Sequence, residues 1–209
     1  MAHRGKRQRA SGTRRLRAAR GWDASATPGA RPLAGSSREA LEAQLSQALL
    51  RGDGACGAHC IHELWMRGEF AARIEAALDA LWSRAASSIP EWLPMRHIEW
   101  LPQLYEAALG FSAARRGRYN LYLILLDFAD RRRGPHGVYV GMSHYPPAQR
   151  FEQHKAGIRA AGSVLRRGVE LLSGPTLHLQ RISRTDALRI EAQLADALRD
   201  AGLLVEGGH

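Results

Sequence analysis

Seven residues, Asn120 to Leu126 (NLYLILL), constrain the fold more than any other part of the chain. The run is apolar, compact and too short for a membrane span, so it reads as a buried strand rather than a helix. A polar stretch follows, Asp127 to Gly134 (DFADRRRG), and then a second strand-like run, Gly137 to Met142 (GVYVGM). Two neighbouring strands with a short polar connection predict an antiparallel hairpin.

The elements downstream continue the pattern. Pro146 and Pro147 open a helix expected from Ala148 to about Ala161, because proline suits the first helical turn. A short helix around Val164 to Arg167 stops at Gly168. Thr176 to Ile182 (TLHLQRI) alternates apolar and polar residues, as a half-exposed third strand would. A last helix is expected from about Thr185 to Ala201, closed by Gly202 at the position after its cap. The order β-β-α-α-β-α predicts an α+β unit over residues 117–209 with a small three-stranded antiparallel sheet flanked by helices.

Upstream the period is helical. Ser37 caps a helix carrying Leu41, Leu45, Ala48 and Leu49, ended by Gly52 and Gly54. A second helix is expected from about Ile61 to Arg84, and a third from about Met95 to Leu109 with a kink at Pro102. Residues 38–112 therefore read as a helical accessory region. Residues 1–37, rich in Arg, Gly, Ser and Ala and broken by Pro28 and Pro32, read as a disordered basic tail.

Charge follows the same division. The chain carries 30 Lys+Arg against 20 Asp+Glu, a formal charge of +10. Residues 1–20 hold eight basic residues and no acid, so most of the excess belongs to the tail. Such a tail can hold phosphate backbones by charge alone, or serve as a solubilising extension. With 45% hydrophobic residues the remainder can bury a core, which excludes global disorder. No apolar stretch approaches the ~18 residues of a membrane helix, and the basic start lacks the apolar segment of a signal peptide. Two cysteines cannot build a disulfide framework. The expectation is a soluble, cytoplasmic protein. Only Lys6 and Lys155 are lysines, and that arginine bias with abundant Ala and Gly suggests a GC-rich bacterial genome.

Several side chains could carry chemistry. Glu191 falls in the middle of the last helix with Ala187, Leu188, Leu194, Ala195 and Leu198 around it. A carboxylate in an apolar stripe needs a partner: an internal arginine, or a hard divalent metal. Arg150 and His154, four apart, share a helix face that could clamp a phosphate or be a solvated face. Tyr122 and Tyr139 lie one on each strand of the hairpin, as converging hydroxyls or as core tyrosines. Cys56, His59, Cys60 and His62 offer four soft ligands, but too tightly spaced for an ordinary zinc module, and a plain loop is the simpler reading.

Taken together, Tyr139-Val140-Gly141 followed by Pro147, Arg150, Gln153-His154 and Gly157 resembles the core of the GIY-YIG nuclease family. In that family a Tyr-Ile-Gly strand leads into a helix of the form P-x-x-R-x-x-Q-H, and a later helix carries one metal-binding glutamate, the place of Glu191. Asn120-Leu121-Tyr122 stands where the family has Gly-Ile-Tyr. The match covers about residues 119–209. The tyrosines are 17 positions apart, wider than is usual, and the family's later asparagine has no counterpart, since Asn120 is the chain's one asparagine.

The resemblance implies an endonuclease that hydrolyses phosphodiester bonds in DNA with one Mg²⁺ or Mn²⁺ on Glu191. Arg150 would neutralise the phosphate, and Tyr122 would orient or deprotonate water with Tyr139 and His154 assisting. Arg131, Arg132, Arg133 and Lys155 would touch nucleic acid. Two alternatives stand beside it. One is a nucleic-acid-binding protein without catalysis. The other is an interaction module with an exposed apolar patch on the 61–109 helices.

Overall fold

The computed structural model describes residues 26–128 and 136–208. Arg131, Arg132, Arg133 and most of the basic tail lie outside those residues. The architecture is α+β, with a four-stranded mixed sheet between helices.

Order begins earlier than residue 38. Pro28 and Leu33 are buried, and the Arg31 guanidinium forks onto the Glu63 carboxylate at 2.8 and 3.1 Å. Residues 26–37 are therefore packed chain, not part of a disordered tail. The buried ion pair supplies a fixed partner that composition alone did not show.

Helix α1 (Arg38–Arg51) starts where Ser37 accepts the Ala40 N–H and stops at Gly52, whose φ of +65° suits glycine. The expected second helix is two: α2 (Gly54–Met66) and α3 (Ala71–Ala85). Gly68 takes φ +77° and the Glu69 N–H bonds back to the Leu64 carbonyl, which ends α2 and turns the chain. Helix α4 (Leu101–Leu109) begins at Trp100, so Pro102 sits in its first turn instead of kinking its middle.

The Cys-His cluster is not a loop. It forms one flank of α2, fully enclosed. Burial pushes the Cys60 thiol up, and pushes His59 down to about 4 and His62 to about 3, so both imidazoles are neutral. They pack against the rings of Trp92 and Tyr105. Among the described residues no three His, Cys, Asp or Glu side chains are placed to hold a metal.

Strands β1 (Asn120–Asp127) and β2 (His136–Ser143) form the expected antiparallel hairpin, with Tyr122 opposite Gly141 and Tyr139 opposite Ile124. Helix α5 (Pro147–Lys155) and short helix α6 (Gly162–Arg167) follow. Strand β3 (Gly168–Leu171) then pairs antiparallel with β1. The expected strand at 176–182 is instead a 3-10 helix, Gly174–Leu179, followed by a Gln180 side-chain bond to the Leu121 carbonyl and the Tyr119–Ile182 bridge. Pro175 opens that turn, and β3 already occupies the β1 edge that 176–182 would have needed. Helix α7 (Arg184–Asp200) is closed by Gly202, as expected, and Ser183 caps its start. Strand β4 (Val205–Gly207) then pairs parallel with β2. The sheet order is β3-β1-β2-β4, so the three-stranded antiparallel expectation is corrected to four strands, one of them parallel.

Alternation along β1 gives the sheet two dressed faces. Leu121, Leu123 and Leu125 join α7, α4 and the helical region in one continuous core. Tyr122, Ile124 and Leu126 face α5 and α6 with Phe151 and Val164. The helical region 38–112 thus shares its core with the sheet. No helix among the described residues is long and apolar enough to cross a membrane.

Candidate active site

The α5 face of the hairpin gathers the polar residues singled out from the sequence. Tyr122 and Tyr139 are two strand positions off register and on the same side of the sheet, with ring centroids 6.0 Å apart. His154 comes down from α5, its ring 6.0 Å from Tyr122 and 5.7 Å from Tyr139.

Hydrogen bonding settles the state of His154. The Ala161 N–H donates to its Nδ1 at 3.1 Å, so that nitrogen is the acceptor and Nε2 carries the proton. Nε2 lies 3.0 Å from the Tyr122 hydroxyl and therefore donates to it. Burial and the Arg150 charge push His154 down to about 4, so the ring stays neutral at pH 7. His154 is thus a fully buried positioning group for Tyr122 rather than an acid facing solvent.

Arg150 is held by neutral oxygens. Its guanidinium donates to the Gln153 Oε1 (3.3 Å), the Ile158 carbonyl (3.1 Å) and the Arg159 carbonyl (2.7 Å). No carboxylate pairs with it among the described residues, so its charge is uncompensated and also reaches the Tyr122 hydroxyl. Burial raises both phenols. The neighbouring Tyr139 adds to the rise at Tyr122, and Arg150 opposes the rise at both.

Glu191 arrives from α7 at the edge of β2. β4 pairs with β2 only as far as Val140, and beyond it the Met142 N–H would be an open edge group. Glu191 accepts that N–H, and its charge acts on Tyr139. Burial pushes its carboxyl up to about 7, so no arginine neutralises it. Among the described residues, the internal salt bridge considered from the sequence does not form. Of the expected stripe, Ala187, Leu194, Ala195 and Leu198 are buried with it; Ile190 replaces Leu188, which is exposed.

Gly141 makes the two tyrosines possible. A Cβ there would lie 2.6 Å from the Tyr122 Cζ and the Tyr139 Cε1. Gly141→Ala is expected to destabilise the fold by about 1–3 kcal/mol in urea melts, since overpacking forces both rings to move. Lys155, expected to contact nucleic acid, is exposed, pairs with Glu152 at 2.7 Å and lies over the Phe151 ring.

Sequence reasoning missed the Ala161 amide, whose role exists only through folding, and the edge function of Met142. A signal for Gly141 was available in the Tyr-Val-Gly run. Tyr122, Tyr139, Arg150, His154 and Glu191 therefore surround one end of the hairpin, while no protein-family model, no curated protein and no solved structure matches this chain.

Proposed function

We propose that the protein is a metal-dependent endonuclease that hydrolyses phosphodiester bonds in DNA, with the GIY-YIG-like site described above. The observation that carries this reading is the pairing of an uncompensated arginine with a raised carboxylate that has no ion-pair partner among the described residues, on either side of Tyr139 and the His154-bonded Tyr122. Neither charge is explained by an internal partner, and a phosphate with a divalent cation would satisfy both.

The donor set suits Mg²⁺ or Mn²⁺. A single carboxylate matches the preference of Mg²⁺ for few protein ligands, the rest being waters and phosphate oxygens. Glu191 would hold the ion, which when bound supplies charge neutralisation at the phosphate and the leaving oxygen. The chain's own residues do the rest. Arg150 binds a non-bridging phosphate oxygen, its fork aimed by the Ile158 and Arg159 carbonyls. Tyr139, half-buried, is the phenol that can orient the attacking water. Tyr122 is buried behind it, so its role shifts from water activation to fixing the Tyr139 oxygen, with His154 and Ala161 fixing Tyr122 in turn.

The test is a cleavage assay on plasmid, branched and single-stranded DNA with Mg²⁺, Mn²⁺ or chelator. Wild type is expected to nick only with metal, and Arg150→Ala to be on the order of a hundredfold slower while still folded. Salt-sensitive binding with no cleavage on any substrate would select the binding-only reading. The interaction-module alternative gains little: Phe70 just before α3, Met95 in the loop before α4 and Leu109 at the end of α4 are exposed at three separate points of the chain.

A further inference from the structure

Beside Arg150 a cavity of about 440 Å³ opens at the end of the hairpin. Tyr119, His144 and Tyr145 line one side; Arg150, Gln153 and Arg159 line the other. Its size falls within the roughly 300–1,000 Å³ of small-ligand pockets. The aromatic side is a small stack. His144 and Tyr145 have ring centroids 4.0 Å apart at 38°, and Tyr119 meets His144 edge-on at 6.4 Å.

The wall is built, not incidental. Asn120, the chain's single asparagine, donates from Nδ2 to the Tyr145 carbonyl at 3.0 Å and accepts the Arg181 N–H on Oδ1 at 3.0 Å. The Tyr145 N–H donates to the Ser143 Oγ at 3.1 Å. The Tyr119–Ile182 bridge brings the 181–184 segment alongside. Arg159 and Arg181 sit at φ +46° and +60°, a conformation that persists in non-glycine residues where the surroundings impose it. Gln153 uses its carbonyl on Arg150 and leaves its amide N–H groups without a hydrogen bond among the described residues.

More arginines stand in the two segments that the Tyr119–Ile182 bridge joins beside this pocket. Arg115, Arg116, Arg118, Arg181 and Arg184 are exposed and make no ion pair among the described residues. By contrast, Arg38 and Arg73 on the helical region are engaged by Glu42 and Glu69. Free guanidiniums flanking an aromatic stack are what a polyanion with exposed bases requires.

We infer that this cavity receives an unpaired nucleobase next to the phosphate held by Arg150, and that the flanking arginines hold the adjoining backbone. The inference rests on the nucleic-acid part of the function proposed above and narrows it. Paired bases in a duplex keep their faces stacked, so an aromatic wall selects a strand that is single, bulged or flapped at the cut. Gln153 supplies a donor to the base edge, and Asn120 is a positioning residue for both the wall and Arg181.

Fluorescence anisotropy of the full chain in chelator tests it without cleavage, using oligo-dT, a blunt duplex, and the same duplex with an unpaired bulge. Oligo-dT and the bulged duplex are expected to bind on the order of tenfold more tightly than the blunt duplex. Tyr145→Ala and His144→Ala are each expected to lose most of that preference, with blunt-duplex binding unchanged. His144 is exposed, so its variant keeps the test decisive should Tyr145→Ala fail to fold. Equal affinity for all three probes, or variants that bind oligo-dT as wild type does, overturns the inference. If such variants also cut duplex DNA normally with metal, the nuclease reading survives without it. Preference for unpaired bases with no cleavage under any metal keeps the inference and removes the nuclease.

Discussion

Glu191→Gln is expected to lower metal-dependent cleavage by about a thousandfold while making the folded protein more stable above pH 7. The two effects have one cause. The carboxyl is held at the β2 edge with one backbone donor and no cation, and burial pushes it up to about 7. A carboxyl raised in the folded state favours folding while it is protonated, so that stability is complete below its ordinary value near 4.5 and lost as pH rises through 7. At pH 8 the wild type carries a poorly compensated charge, and the neutral isostere removes it. After allowance for solvent at the sheet edge the gain is about 1–2 kcal/mol. Thermal melts at pH 8 and pH 4.5 read this directly: the variant melts higher at pH 8, and the difference closes at pH 4.5. Added Mg²⁺ raises the melting temperature of wild type at pH 8 and leaves the variant unmoved. A variant that is less stable at pH 8 would mean that Glu191 has a structural partner. Cleavage that survives the substitution would remove Glu191 from the chemistry.

The parts of this arrangement that the sequence displays are those set by local rules. The β1–β2 hairpin follows from an apolar run, a polar connection and a second run. Helix α7 follows from Ser183 before it and Gly202 after it. Glu191 stood out because a carboxylate in an apolar stripe violates the pattern around it. Non-local pairing is what escaped. The 176–182 segment has the alternation of a strand, yet β3 takes the β1 edge, a pairing invisible in the segment itself. β4 is three residues long and pairs with a strand about seventy positions earlier, too short to leave a pattern. The division of labour between the tyrosines also depends on contacts across the fold. Nothing in the spacing says that Tyr122 is buried behind Tyr139, or that a loop amide at Ala161 sets the tautomer of His154.

Glu63→Ala is expected to cost about 3 kcal/mol, a large loss of stability for a single change. Glu63 lies inside α2 with almost no solvent exposure. Its Oε1 accepts from Arg31 at 2.8 Å and from Arg67 at 2.7 Å, and its Oε2 takes a second bond from Arg31 at 3.1 Å. Burial alone would raise the carboxyl, but the two guanidiniums overcome it and hold it below its ordinary value. Arg67 in turn donates to the Leu33 and Ala34 carbonyls, so one carboxylate fastens residues 31–34 to the end of α2. Deleting it leaves two arginines facing each other at a half-buried seam and frees the segment that covers α2. Because the folded carboxyl is depressed, its contribution is present above about 4.5 and fades as pH falls through its folded value. Urea melts at pH 7 should therefore show the full deficit for Glu63→Ala, and the gap to wild type should narrow in acid. Residues 26–37 should also become protease-sensitive in the variant before the sheet does, since their anchor is lost while the core around β1 and α7 is untouched. An unchanged melt, or loss of the sheet in step with that segment, would place the stability of this region elsewhere than in the Arg31–Glu63–Arg67 cluster.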